Sequence, residues 1–331
     1  MVVFAQIRNM TQQAADSQTY LPQVSVIVPI YNGEADLPGL IECLKAQTYP
    51  ASGVEYLLVD NNSSDRTPTI LEAAALAAKS QGITIRHLTE NNIQSSYAAR
   101  NTGIRASQAE ILAFTDADCR PLPEWLLHLV QPFADPAVGL VVGEINALPG
   151  ETILEKYAER QSIMTQKDTL AHPFCPYGQT ANLAIRRPVF EQIGLFRPYM
   201  TTGGDADMCW RIGRETSWKL YFAETALVQH RHRATIAELK SQWRRYGRSN
   251  RYLHELYGVE LMRDFTWKES VYRLSRWLVK ELPVATLNAI AGKTPWLDAL
   301  ASPINLYCAM NRSAGQREAK LPEQAKTIEG I

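Results

Sequence analysis

The strongest constraint on this chain is a repeating alternation of short apolar stretches with segments of helical periodicity. Residues 24–28 form a β-branched run stopped by Pro29, the pattern of a strand buried on both faces of a parallel sheet. Leu37, Leu40, Ile41 and Leu44 then recur at helical spacing. The next strand is expected at 56–59, followed by a polar loop at 60–65 and an alanine-rich helix at 68–79. The alternation continues with strands at 83–88, 111–115 and 139–143 and helices at 96–105 and 124–133. It predicts an α/β fold with a mainly parallel sheet and helices on both faces. Ligands of such sheets sit beyond the carboxyl ends of the strands.

After about Pro149 the pattern changes to a helix at 153–167, a loop containing Pro and Gly at 172–180, a short strand at 182–185 and a Gly-Gly-Asp turn at Gly203. The expected organisation is a flexible tail over 1–22, one α/β domain over 23–233 with halves at 23–148 and 149–233, and a C-terminal helical extension over 234–331. From about 313 this extension reads as a flexible tail. The first twenty residues are polar and lack the apolar run of a secretory signal.

Basic and acidic residues balance, 34 against 34, so no global field favours nucleic acid, and any bound anion needs a local cluster. The five cysteines are scattered and never form Cys-x-x-Cys, which reads as reduced thiols of a cytoplasmic protein. The longest apolar stretch, 282–292, is interrupted by Pro283 and Asn288, so a spanning helix is not expected. Trp267, Tyr272, Arg276, Trp277, Lys280 and Trp296 mix aromatic and basic residues with apolar neighbours. That composition suits a helix lying peripherally at a membrane interface; packing onto the α/β domain and a dimer contact are the competing readings.

Three acidic motifs stand out. Asp116-Ala-Asp118 follows the apolar strand at 111–114, and alternation along an extended segment lets both carboxylates face one divalent ion. A solvated turn with Asp118 capping the next helix is the alternative. Asp60 closes the second strand, where it can accept hydrogen bonds from a base or ribose, while Ser64 or Asp65 caps the helix behind. Gly203-Gly204-Asp205-Ala206-Asp207 sets two carboxylates after a turn; one could take a proton from a hydroxyl, while Asp207 could cap the helix or bind Arg211 at i+4. His230, in His-Arg-His-Arg, could complete a metal site with Asp118, with a surface histidine as the bland alternative. Arg244, Arg245, Arg248 and Arg251 form a cationic helix face that could grip diphosphate or lipid headgroups, or simply be solvated.

Taken together, the residues from Val24 to about Tyr257 resemble the family-2 glycosyltransferases of the GT-A fold. Pro29-Ile-Tyr31-Asn32, with Glu34 close behind, is similar to the family's opening Pro-x-Tyr-Asn, which contacts the nucleotide. The segment from Asp60 and Asn61 to Asp65 is similar to Asp-Asp-Gly-Ser-x-Asp. Ala99-Arg100-Asn101-x-Gly103 looks like the element beside the diphosphate, and Asp116-Ala-Asp118 like Asp-x-Asp. Gly178-x-x-x-Asn182 looks like the acceptor-side strand. The resemblance implies that 23–148 binds the nucleotide-sugar and 149–233 the acceptor, that Asp205 is the catalytic base with Asp207 on the acceptor side, and that transfer inverts configuration. It implies Mg²⁺ or Mn²⁺ on Asp118, shared with His230, a UDP-sugar donor and a glycan or lipid-linked acceptor. The sequence departs where the family's usual Glu is Gly204. A nucleotidyltransferase would carry a Gly-rich basic loop where this chain has Pro29-Ile-Tyr-Asn-Gly-Glu34, and a dinucleotide-dependent dehydrogenase would carry Gly-x-Gly-x-x-Gly. A non-catalytic sugar-nucleotide binder or scaffold is the alternative from another class.

Overall fold

A computed structural model describes residues 20–331. Most of the tail expected over 1–22 lies outside these residues, but at its end the Tyr49 hydroxyl donates to the Pro22 carbonyl at 2.6 Å. The first half alternates as the apolar pattern requires: β1 (Val24–Ile30), α1 (Leu37–Lys45), β2 (Val54–Asp60), α2 (Thr67–Ser80), β3 (Thr84–Thr89), α3 (Ser96–Ala106), β4 (Ile111–Phe114), β5 (Cys119–Pro121) and α4 (Trp125–Val130). The second half has β6 (Val138–Ala147), α5 (Ile153–Arg160), α6 (Gln166–Leu170), β7 (Leu183–Arg186), α7 (Arg187–Ile193), α8 (Gly204–Glu215) and β8 (Lys219–His230). The extension contributes α9 (Ile236–Tyr257), α10 (Trp267–Arg276), α11 (Leu282–Ile290) and α12 (Ala301–Glu318).

The eight strands form one sheet in the order β3-β2-β1-β4-β7-β6-β8-β5. β3, β2, β1 and β4 run parallel, as do β6 and β8, whereas β7 is antiparallel to both β4 and β6, and β5 to β8. The sheet is therefore mixed, with four parallel pairings and three antiparallel ones. The chain leaves β1 for β2 on one side, and β4 lies on the other. The carboxyl ends of β1 and β4 thus flank a topological switch point, where a crevice opens. Alternate residues of β1 feed different cores. Val24, Val26, Val28 and Ile30 pack with α1 and α2, while Ile27 packs with α3, Phe114, Phe190 and Phe196. Both faces are covered.

The helix expected over 153–167 is two helices. Ser162 and Met164 between them hold positive φ of 48° and 85°, which a continuing helix does not allow. The Thr165 hydroxyl then caps α6 and donates to Glu144.

The tail expected from about 313 is docked. Gly315 of α12 meets α9 so closely that a Cβ there would lie 2.1 Å from the Arg244 carbonyl oxygen, and one on Gly247 would lie 1.9 Å from that of Arg312. Beyond α12, Leu321 and Ala325 enter the core beside Phe196, and the Leu195 amide donates to the Glu329 carbonyl at 2.8 Å.

Candidate active site

A cleft of ≈470 Å³ lies at the switch point. Its floor comes from the strand ends, with Pro29 at the next-to-last position of β1, Tyr31 and Asn32 just after β1, and Asp116 and Asp118 after β4. Its far wall comes from Thr180, from Asp205 at the start of α8, and from His230 at the end of β8; α9 lends Arg245 and Tyr246. A smaller cavity of ≈270 Å³ adjoins it, lined by Pro29, Tyr31, Asn61, Ser96 and Thr201. Tyr31 is 57% exposed at this mouth, a placement suited to stacking on a flat ligand.

The two carboxylates of Asp116-Ala-Asp118 have different partners. Asp116 Oδ1 accepts from Arg100 Nη2 at 2.6 Å, and α3 holds that guanidinium in the interior, 5.4 Å from the centre of the Tyr97 ring. Asp118 Oδ1 lies 3.5 Å from His230 Nε2, and its Oδ2 accepts from Arg233 at 3.4 Å. Burial pushes the Asp118 carboxyl up, but His230, Arg233, Arg231 and Arg245 outweigh it and hold the group below its ordinary value. Arg231 is anchored by a two-pronged pair with Asp36, at 2.9 and 2.7 Å. Arg245 has no ion pair among the described residues and faces the cleft, as a site for a phosphate would require.

Asp205 follows Gly203, whose φ of +80° forms the left-handed N-cap of α8. Its Oδ1 accepts from the Thr180 hydroxyl at 2.9 Å. Burial raises its pKa, and Asp116 adds to the rise against the opposing pull of Arg100 and the Thr180 hydrogen bond. A carboxylate made more basic in a cleft is suited to general-base work. Gly204, where the family pattern has Glu, has no room for a side chain. A Cβ there would meet the Tyr97 ring at 2.7 Å, so Tyr97 fills that position beside Asp205.

The donor set fits a divalent ion of the kind the fold implies. Cis ligands of such an ion at ~2.1 Å sit about 3 Å apart, close to the 3.5 Å between Asp118 Oδ1 and His230 Nε2; the other ring nitrogen, Nδ1, is buried without a hydrogen-bond partner. Cys119 lies within reach of both, but burial pushes its thiol well up, and a protonated thiol is a poor ligand for a hard cation. His232 does not line the cleft; burial first, then His230 and Arg233, lowers its pKa to about 4.

Several residues expected at the site face elsewhere. Asn182 is fully buried, accepting from Trp125 Nε1 and donating to the Glu144 and Ala226 carbonyls, each at 2.8 Å. With both ends of its amide engaged, it ties the sheet together instead of meeting an acceptor. Asp207 is also fully buried, bound by Arg197 at 2.8 Å, Arg211 at 3.2 Å and the Tyr257 hydroxyl at 2.6 Å. Gly178 turns inward against Val142 and Leu183. Asn101 bonds the backbone of Phe196, and Glu34 accepts from Arg66. Arg244 points to Glu318 on α12 at 2.9 Å. Asn61, by contrast, stays on the wall of the smaller cavity while its amide donates to the Glu90 and Ile93 carbonyls, and the preceding Asp60 accepts from the Ser63 amide at 3.2 Å. Sequence reasoning missed Thr180, Tyr97 and Asp36. Their only signals were a hydroxyl near a glycine turn, an aromatic before Ala-Arg-Asn and an acid ahead of α1.

Comparisons with known proteins bear on the family and the fold. The profile of Glycosyl transferase family 2 matches residues 25–194, just over half of the chain, and that of Glycosyl transferase family group 2 matches 111–308. The chain is similar to Glycosyltransferase AglE of Haloferax volcanii, at 36% identity over 226 residues covering 68% of this chain and 72% of that protein. It is similar to the beta-monoglucosyldiacylglycerol synthase of Trichormus variabilis, at 34% over 140 residues, 42% of this chain and 29% of that longer one. Among solved structures, the mannosyltransferase PcManGT of Pyrobaculum calidifontis, in complex with GDP-Man and Mn²⁺, shares the fold. Its TM-score is 0.60 at 20% identity, covering 90% of this chain and 87% of that one. With its mixed GT-A sheet and the matched segments spanning both sides of the cleft, the chain belongs to glycosyltransferase family 2.

Proposed function

We propose that this glycosyltransferase inverts configuration as it moves a sugar from a nucleoside-diphosphate donor to a hydroxyl of a glycan or lipid-linked acceptor, in polysaccharide, cell-envelope or glycolipid assembly. The observation that carries the reading is Asp205, a carboxylate of raised pKa held by Thr180 across the cleft from Asp116 and Asp118. Tyr31, Asn61 and Pro29 receive the base in the smaller cavity, with Asp60 behind it. Arg245 and Arg233 meet the diphosphate, and Arg100 keeps Asp116 oriented. Asp118 and His230 would hold a divalent ion, Mg²⁺ or Mn²⁺, which supplies charge neutralisation for the leaving diphosphate. Asp205 takes the proton of the acceptor hydroxyl. The acceptor oxygen bonds to the anomeric carbon as the bond from that carbon to the diphosphate breaks, so the nucleoside diphosphate leaves from the opposite face.

The acceptor reading draws on the glycolipid synthase among the relatives. No helix among the described residues is long and apolar enough to cross a membrane, while α10 and α11 expose large apolar side chains. We assign them a peripheral membrane contact on the cytoplasmic face, in keeping with five unpaired cysteines. A thermal-shift screen of UDP-, GDP- and dTDP-sugars with Mn²⁺ tests the donor class, with UDP-sugars first, since a bound ligand raises the melting temperature by mass action. No shift with any of them would reject donor binding.

A further inference from the structure

A second cavity, of ≈480 Å³, lies outside the cleft between α9, α10 and α12. Trp243, Phe265, Arg273, Arg276, Ser302 and Arg312 line it, and Glu281 is the one acid on its wall. Glu281 is already engaged, pairing with Arg276 at 3.0 Å and accepting from Ser302. Arg273 and Arg312 have no ion pair among the described residues; Arg273 stacks on Phe265 at 4.2 Å from the ring centre. Arg312 Nε and Trp243 Nε1 are buried without hydrogen-bond partners. Buried N–H donors left unmet are costly, and guanidinium groups beside an indole N–H match the oxygens of a phosphate.

The cavity's surroundings say where that phosphate comes from. Trp267 on α10, Val279 in the segment joining α10 to α11, and Leu287 and Ile290 on α11 are 72%, 77%, 66% and 80% exposed. Between Trp267 and Arg312 the chain carries six basic and three acidic residues, a positive surface complementary to anionic lipid. Trp243 stacks edge-on against Tyr246, which lines the catalytic cleft, so the cavity and the cleft lie on one helix, less than a turn apart.

We infer that this cavity is a binding site for the phosphate of an anionic lipid headgroup, which seats the apolar faces of α10 and α11 on the bilayer beside the cleft. It rests on the membrane contact proposed above and adds to it a specific site. The test is co-sedimentation of the full chain with vesicles of phosphatidylcholine alone and of phosphatidylcholine with phosphatidylglycerol. Lys268→Gln/Lys293→Gln removes two exposed charges outside the cavity and measures the diffuse effect, about fivefold per residue. Arg273→Gln/Arg312→Gln is expected to lose at least tenfold more than that pair on anionic vesicles. The exposed Arg273→Gln alone gives the same direction without touching the helix interface. Equal losses for the two double variants overturn the site and leave the membrane contact standing, as does equal binding of the wild type to both vesicle types. Absence of binding to either vesicle overturns both. Calorimetric binding of inorganic phosphate that needs Arg273 and Arg312, in a protein that ignores vesicles, would make this a free-anion site and overturn the lipid assignment.

Discussion

Replacing Asp207 by Asn separates a structural acid from a catalytic one that sits only two positions away. Asp207 is 0% exposed and carries three donors: Arg197 at 2.8 Å, Arg211 at 3.2 Å and the Tyr257 hydroxyl at 2.6 Å. These join α8, the loop after α7 and the end of α9. The asparagine amide keeps one acceptor oxygen but loses the charge and turns an NH2 donor toward two buried guanidinium groups, whose other partners are neutral: the Ile193 and Leu195 carbonyls and Met208 Sδ for Arg211, and the Ala325 and Lys326 carbonyls for Arg197. Removing one partner of such a buried network costs about 3–5 kcal/mol, or roughly 10 °C in melting temperature for a chain of this size. Urea unfolding and calorimetry measure the loss. Below the variant's transition, turnover per folded molecule and the acceptor KM are expected to match the wild type, because the side chain does not reach the cleft. A normal melting temperature with a raised acceptor KM would refute the reasoning and return Asp207 to the acceptor.

Two further predictions concern the cleft itself. His230→Ala is expected to lower Mn²⁺ affinity by about 100-fold, read by Mn²⁺ titration with nucleoside diphosphate present, and chelation is expected to stop turnover; unchanged affinity would remove His230 from the metal site. The raised pKa of Asp205 sets a sign for pH. As the base it works ionised, so kcat/KM is expected to fall as pH drops through a limb above the ordinary carboxylate value of about 3.9. Because the folded state favours its protonated form, Asp205 contributes stability at low pH that is lost as pH rises through its folded value, so Asp205→Asn is expected to melt higher than the wild type at neutral pH. A limb at or below the ordinary value, or a lower melting temperature, would contradict the burial argument.

The strand ends were legible because a buried strand needs an unbroken apolar run and its polar successor must leave the core. β1, β2 and β4 therefore announced Asn32, Asp60 and Asp116 in place. The insertion of β7 antiparallel between β4 and β6 was not legible, since alternation in sequence says nothing of pairing order. Asn182 read as an acceptor residue only through the resemblance of Gly178-x-x-x-Asn182 to the family's acceptor-side strand. Its burial depends on Trp125 and two carbonyls brought in from β6 and β8. The segment from about 313 read as a flexible tail, yet its backbone carbonyls accept from the Leu195 amide and the Arg197 guanidinium, and Leu321 and Ala325 enter the core. Such long-range backbone contacts leave no local pattern. Gly204 could be recognised as a departure from the family, but its cause, the Tyr97 ring, lies over a hundred residues earlier.

The central claim is that Asp205 is the base, and the direct measurement pairs single-turnover transfer with calorimetric donor binding in Asp205→Asn. Loss of a general base costs about 10²–10⁴ in rate, so transfer is expected to fall by about a thousandfold while the Kd for the nucleotide-sugar stays within about threefold of wild type. Parallel loss of transfer and donor affinity, or transfer that survives, would contradict the account.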